Sequence, residues 1–341
     1  MNFVVKKVFS LFLAVVLCVS CGSKCGSKGG QVQQKPQSRG LPYELVLIVP
    51  EPIYRGELKD TLESVLQGST PVLPQHEPLF RLDIVYADGN LTPWRTFRNR
   101  LIVDVDRKAA APTMGVAKDP VAHPQLEVKI AARSAHDLAV FIGEQRQRLT
   151  DLFVEAELNV EAARLRTKYS RMTADSLSRF GHHVCVPEGL RASKLATDFL
   201  WTGTNLNDKD LNFVFYSYPW NGRPLTAEQF VQKRDSAMRV NIPGAQVGQY
   251  MQTATAPAVA DSTVRQPLIV VRSRMIGGHG VLEVHGLWEM RGGALGGAFV
   301  SLERVDTAAR RVLVTEGFIY SPHSPKRNLL RQMEAALRTF E

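Results

Sequence analysis

Two rhythms of apolar and polar positions run along this chain, and each change of rhythm marks an element. Glu44 to Val49 reads ELVLIV and stops at Pro50, which predicts a short buried strand. Leu58, Leu62, Val65 and Leu66 then share one helical face, with Gly68 placed to end the helix. Phe80 to Tyr86 alternates apolar and polar residues up to Asp88-Gly89-Asn90, and Arg100 to Asp106 alternates again, which reads as two half-buried strands of a hairpin. Residues 107–125 have no period and read as an exposed loop before a strand at Leu126–Ile130. Ser134 then caps a helix running to about Lys168, apolar at Leu138, Ile142, Leu149, Leu152, Ala156, Val160 and Ala163, with Gln145 the one polar intruder. Unbroken, it would be roughly 50 Å long, so the expectation is that it projects beyond its sheet or breaks near Asn159.

The second half begins with strands at His182–Val186, Asp198–Thr202 and Asn212–Tyr218. Thr226 and Gln229 have capping-box spacing at the head of a helix that Asn241-Ile242-Pro243-Gly244 stops. Strands follow at 246–255, 267–276, 280–290, 297–305 and 310–320, joined by short Gly-rich or Asp/Thr links that favour an antiparallel meander. Ser324-Pro325 reads as N-cap and first-turn proline of a last helix whose apolar face is Leu329, Met333, Ala336, Leu337 and Phe340. The pattern as a whole predicts an α+β fold of two lobes, 41–175 and 176–341, each of mainly antiparallel sheet with packed helices.

The N-terminus departs from this globular pattern. Lys6 and Lys7 precede an apolar run, Val8 to Val19, interrupted only by Ser10, as in a secretory signal over residues 1–20. Its end, Leu17-Cys18-Val19-Ser20-Cys21, resembles a bacterial lipobox with Cys21 as the lipidated residue, although Cys18 stands where that motif carries an aliphatic side chain. The alternative is a plain signal peptide followed by an incidental cysteine. Residues 21–40 are rich in Gly, Ser, Lys and Gln and read as a flexible tether. By analogy with lipoprotein sorting, the absence of Asp after Cys21 points to the outer membrane, and the absence of an acidic run downstream points to its periplasmic side. Acyl chains on Cys21 would be the membrane partner.

Charge narrows the partners. The formal charge of +9 falls to +7 once Lys6 and Lys7 leave with the signal, a modest excess that argues against a nucleic-acid protein. Within the folded region Cys185 is the only cysteine, so no disulfide forms there, and Cys185 reads as a small buried residue.

No catalytic, cofactor or metal motif emerges. The glycines at 277–280 and 292–297 do not have phosphate-loop order and read as turns and close strand crossings. Of the eight histidines, His182 and His183 point to opposite strand faces, and His279 and His285 lack a spaced acidic or cysteine partner. Glu283 and Glu289 read as residues of a solvent-facing strand face. The unusual polar and aromatic stretches are 73–80 and 92–100, and the candidate binding surface drawn from them comprises Gln75, Glu77, Trp94, Arg95, Arg98 and Asn99. The opposing reading has prolines shaping these loops while the aromatics pack beneath.

Together with the lipobox, LPQHEPLF at 73–80, RNR at 98–100, NIPG…YMQT at 241–253 and GLWE…GGAF at 286–299 resemble the lipoprotein family described as domain of unknown function 4837. The resemblance covers most of the folded chain and implies a Gram-negative envelope lipoprotein without an assigned activity, from which no catalytic residues carry over. The resulting expectation is a non-catalytic binding or structural module for an envelope protein or polymer. The alternative is a cell-wall or carbohydrate-active enzyme with an unrecognised site.

Overall fold

The computed structural model describes residues 35–340 apart from Arg179, His182 and 258–264. The signal segment, Cys21 and the tether up to Gln34 lie outside the described residues.

β1 (Glu44–Val49) organises the first sheet because it is apolar on both faces. Leu45, Leu47 and Val49 enter the main core of this half, and Val46 and Ile48 pack on the opposite face with Phe97. A strand buried on both sides suits the middle of a parallel sheet. α1 (Gly56–Leu66) carries the chain across to β2 (Arg81–Tyr86), which pairs parallel with β1 on one side. β3 (Asn99–Val105) pairs parallel on its other side. The expected hairpin between β2 and β3 is therefore replaced by a crossover, with β1 between them. β4 (Thr113–Lys118), nearly all exposed and so without readable alternation, is an edge strand inside the expected loop. It runs antiparallel to β5 (Leu126–Ala132), which pairs parallel with β3. The α+β class and the two sheets stand, but four of the five strands in this sheet run parallel, against the antiparallel expectation.

The long helix exists as two. Ser134 Oγ accepts from Asp137 N at 3.1 Å and starts α2 (Ala135–Glu144). The break falls at Gln145, the polar intruder, rather than near Asn159, and α3 (Arg146–Thr167) continues beyond it. Leu149, Phe153 and Leu158 of α3 join the first core, and Leu165 reaches the second.

After α4 (Arg171–Ser178) comes an antiparallel sheet containing β6 (Ala192–Ala196), β7 (Phe199–Gly203) and β8 (Asp210–Pro219). α5 (Ala227–Asn241) follows, capped by Thr226 as its spacing implies. The chain then forms β9 (Tyr250–Thr253), a small ribbon of β10 (Thr255–Pro257) and β11 (Arg265–Pro267), and β12 (Ile269–Ile276). β13 (His279–Arg291), β14 (Gly296–Asp306), β15 (Arg311–Tyr320) and α6 (Arg327–Leu337) complete it. The sheet order is β12-β13-β14-β15-β8-β7-β6, with β9 paired to the far end of β13. Strand alternation divides the core. Ala298, Val300 and Leu302 face α6, and Phe299 faces α5. The glycines serve close approach, since a Cβ on Gly297 would sit 2.0 Å from the Ile319 carbonyl oxygen.

Two local expectations change. His183–Val186 pairs with no described strand, although Val184 and Val186 are buried and Cys185, half-buried, donates its N–H to Thr339 Oγ1 at 2.7 Å. α6 takes no cap from Ser324. Its first free amides, Lys326 N and Arg327 N, donate to the two carboxylate oxygens of Glu77 at 2.7 and 2.8 Å.

Candidate functional site

Tertiary packing separates the six residues expected on one binding surface. Glu77 caps α6, and Gln75 Oε1 accepts from Lys326 Nζ at 3.2 Å. Trp94 tucks against Phe97, with ring centroids 5.7 Å apart, beneath the outer face of the first sheet. Arg95 is exposed. Arg98 and Asn99 converge on Glu157 of α3. Arg98 forms a two-pronged pair at 2.8 and 2.5 Å, and Asn99 Nδ2 donates to Glu157 Oε1 at 2.6 Å and to the Glu44 carbonyl at 3.0 Å. The arginine-and-tryptophan surface is thus not assembled. Its buried half becomes the floor of something else.

That floor belongs to a cleft of about 550 Å³ between α3 and the chain at 118–126. Leu152, Ala156, Val160 and Ala163 form one wall at helical spacing. Pattern reading placed all four in the core stripe, but α3 is apolar on two sides and only one side meets the sheet. Gln125 shapes the opposite wall. Its Oε1 accepts from Val121 N and Ala122 N, and its Nε2 donates to the Arg95 and Phe97 carbonyls at 2.7 and 2.8 Å. Residues 35–39, read by composition as tether, lie along this wall. His123 N donates to the Pro36 carbonyl at 2.9 Å and Arg39 N to that of Thr96 at 2.8 Å.

The charges lining the cleft are unequal in what they leave free. Asp119 accepts from Gln125 N and pairs with His123 at 3.0 Å; against a push upward from burial, these partners hold its carboxyl below the usual range. Asp151 accepts from Gln147 Nε2 at 2.8 Å, Glu155 pairs with Arg338, and Glu157 is taken by Arg98 and Asn99. Lys118 and Arg148, both exposed, make no hydrogen bond or ion pair to a described residue. Among the described residues no Ser, Thr, Cys or Tyr lines the cleft, so none offers His123 and Asp119 a hydroxyl or thiol there to activate.

A second polar cluster lies on the other side of α3. His285 Nε2 stands 3.4 Å from Glu283 and 4.0 Å from Glu334, so packing supplies the acidic partners missing from its sequence neighbourhood. Glu283, expected to face solvent, is 1% exposed, as is Glu334. The ligand atoms of this trio lie within 4.8 Å of one another, the geometry of a potential metal site. Their oxygens are already engaged: Glu334 by Arg331 at 2.7 Å and Arg338 at 2.9 Å, Glu283 by Arg338 at 3.3 Å and Arg274 at 3.7 Å. Three guanidinium groups at such distances repel a divalent cation, and the donor set fits an ion-pair network. Burial pushes the Glu334 carboxyl up, but Arg331, His285 and Arg338 reverse this and hold it at about 2. The void beside the cluster is about 30 Å³, space for one water.

Under α5, a third set is enclosed. Arg234 and Glu316, both fully buried, pair at 2.8 Å, and the guanidinium lies 4.0 Å from the Phe299 ring centroid. Nearby Glu303 accepts from Tyr218 at 2.9 Å; burial lifts its carboxyl to about 7, the Tyr218 hydroxyl opposing this and Glu316 adding to it.

Family models match the chain in two blocks. Residues 38–166 match the domain of unknown function DUF8532, and residues 170–339 match the domain of unknown function DUF4837. The motifs at 73–80 and 98–100 fall in the first block, those at 241–253 and 286–299 in the second, so the resemblance expected across most of the chain divides near the end of α3. No curated protein matches the chain.

Proposed function

We propose that this chain, whose residues 170–339 belong to the DUF4837 family and whose residues 38–166 match DUF8532, is an envelope lipoprotein that works by binding. In this reading, acyl chains on Cys21 hold it at the periplasmic side of the outer membrane, and the cleft along α3 receives an envelope component with an apolar portion. The observation that carries the binding reading is a 550 Å³ opening walled by Leu152, Ala156 and Val160 and floored by a satisfied Arg98–Glu157–Asn99 set. Its size and its mix of apolar wall and few fixed polar groups suit a small organic ligand. A cell-wall or carbohydrate-active enzyme would have to use Asp119 or Asp151 of the cleft, because Glu155 and Glu157 are held by arginines and Glu283 and Glu334 are enclosed as well.

Two measurements test the reading. Cys21→Ala should release the protein from membrane fractions and abolish palmitate labelling; unchanged retention and labelling would overturn the anchor. For the cleft, wild-type and Ala156→Trp proteins are recovered from the native envelope and their bound small molecules identified by mass spectrometry. The expected result is a set of compounds carried by the wild type and lost from the filled cleft. Identical extracts from two folded proteins would remove the cleft from the function.

A further inference from the structure

The charge inventory of the cleft says more about its occupant than its volume does. Each of its four carboxylates, Asp119, Asp151, Glu155 and Glu157, is engaged by an internal partner. The exposed cations Lys118 and Arg148 form no hydrogen bond or ion pair to a described residue, although the Lys118 charge helps to hold Asp119 ionised. A ligand entering the cleft therefore meets an apolar wall and two cationic side chains whose hydrogen-bond donors are unused by described residues, which favours a molecule with an apolar body and a negative end.

The apolar wall has a definite shape. Leu152, Ala156, Val160 and Ala163 stand at i, i+4, i+8 and i+11 and form a stripe of about 16 Å along the helix, at 1.5 Å of rise per residue. Ala156 and Ala163 are small, so the stripe is a trough that fits an extended chain better than a ring system. Arg148 lies one turn before Leu152, at one end of this stripe. Described residues begin at Lys35, against the wall carrying His123, and the fourteen residues back to Cys21 reach at most roughly 50 Å. On the lipoprotein reading, this keeps the cleft close to a membrane surface, where chain-bearing molecules are concentrated.

We infer that the cleft binds an anionic amphiphile, its hydrocarbon chain along Leu152, Ala156 and Val160 and its negative head against Arg148 and Lys118. This deepens the binding reading and rests on it.

The test titrates the full mature chain, produced without acylation, with twelve-carbon probes kept below their micelle concentrations: laurate, dodecyl phosphate and neutral dodecyl maltoside. Inorganic phosphate serves as a head without a tail. Both anionic probes should bind at least about fivefold tighter than the neutral one, and removing two methylenes should weaken each by about tenfold. The Lys118→Gln/Arg148→Gln variant should erase the anionic preference while keeping the neutral affinity, and Ala156→Trp should weaken all three. A preference for laurate assigns the head to a free fatty acid, and a preference for the phosphate assigns it to a phospholipid-type head. Equal affinity for charged and neutral probes would overturn the anionic head and leave the binding reading standing. Inorganic phosphate binding as tightly as dodecyl phosphate would overturn the amphiphile. If no tailed probe binds while the envelope extracts of wild type and Ala156→Trp still differ, this inference fails alone; if the extracts are also identical, both fail.

Discussion

α3 separates two polar regions made from similar side chains, and they differ in what the charges can still do. On one side Asp151 and Glu155 border the open cleft; on the other they border the enclosed cluster of Glu283, His285 and Glu334. In the enclosed region Glu155, Glu283 and Glu334 each face a guanidinium, so the charges hold α6 to the sheet and to α3. In the cleft Glu155 and Glu157 are held by arginines, but Asp151 has only the Gln147 amide and Asp119 the His123 ring and Gln125 N, and Lys118 and Arg148 form no hydrogen bond or ion pair to a described residue. Burial with complete pairing makes architecture, whereas unpaired charge beside an unfilled apolar wall leaves capacity for a ligand.

The comparison can be broken most severely at Glu334. Glu334→Gln leaves Arg331 and Arg338 without their shared counter-ion and should cost about 3–5 kcal/mol, read as a lowered urea midpoint. A change under about 1 kcal/mol would mean the enclosed cluster does not hold the fold.

Next in size is a dependence on pH that separates a carboxyl with cations from one without. Glu303, lifted from 4.5 to about 7, keeps its proton in the folded state where the unfolded chain has lost it. Stability should therefore fall by roughly 3 kcal/mol as pH rises from 4.5 through 7, and Glu303→Gln should flatten this slope. Glu334, held at about 2, works in the opposite sense: its contribution is full above 4.5 and is lost as pH falls toward 2. Unfolding curves collected across both windows check the two signs together.

Smaller still is the cap. Glu77→Ala frees Lys326 N and Arg327 N and should lower stability by about 1 kcal/mol, with earlier amide exchange at the start of α6 and none of that change in the cleft. The smallest effect on stability belongs to the cleft cations. Lys118→Gln/Arg148→Gln should leave stability within about 0.5 kcal/mol of wild type, since both side chains are exposed and neither has a hydrogen bond or ion pair to a described residue to lose. A large loss there would make these residues architectural and erase the contrast between the two sides of α3.

Much of this division was hidden in one dimension for identifiable reasons. Thr226 and Gln229 announced α5 because a capping box is local, and the meander from β12 to β15 was legible from alternation and its glycine turns. Glu77 gave no such sign, because the amides it caps lie some 250 positions away. His285 appeared partnerless because Glu334 comes from α6 and Glu283 seemed destined for solvent. Arg98 and Asn99 stood out as unusual, but what they contact depended on Glu157. The apolar stripe at 152, 156, 160 and 163 was visible as well; its surplus over what one sheet face covers was not, since pattern alone cannot say which of two apolar faces finds a partner.

By itself, then, the sequence determined the α+β class and most element positions, because period, caps and turns are written in neighbouring residues. Only the tertiary structure decided that β1 lies between β2 and β3, that the charges around Glu334 are closed off, and that α3 leaves one apolar face against an open cleft. Those outcomes depend on which distant surfaces meet, and burial and charge compensation are properties of the meeting rather than of either strand or helix alone.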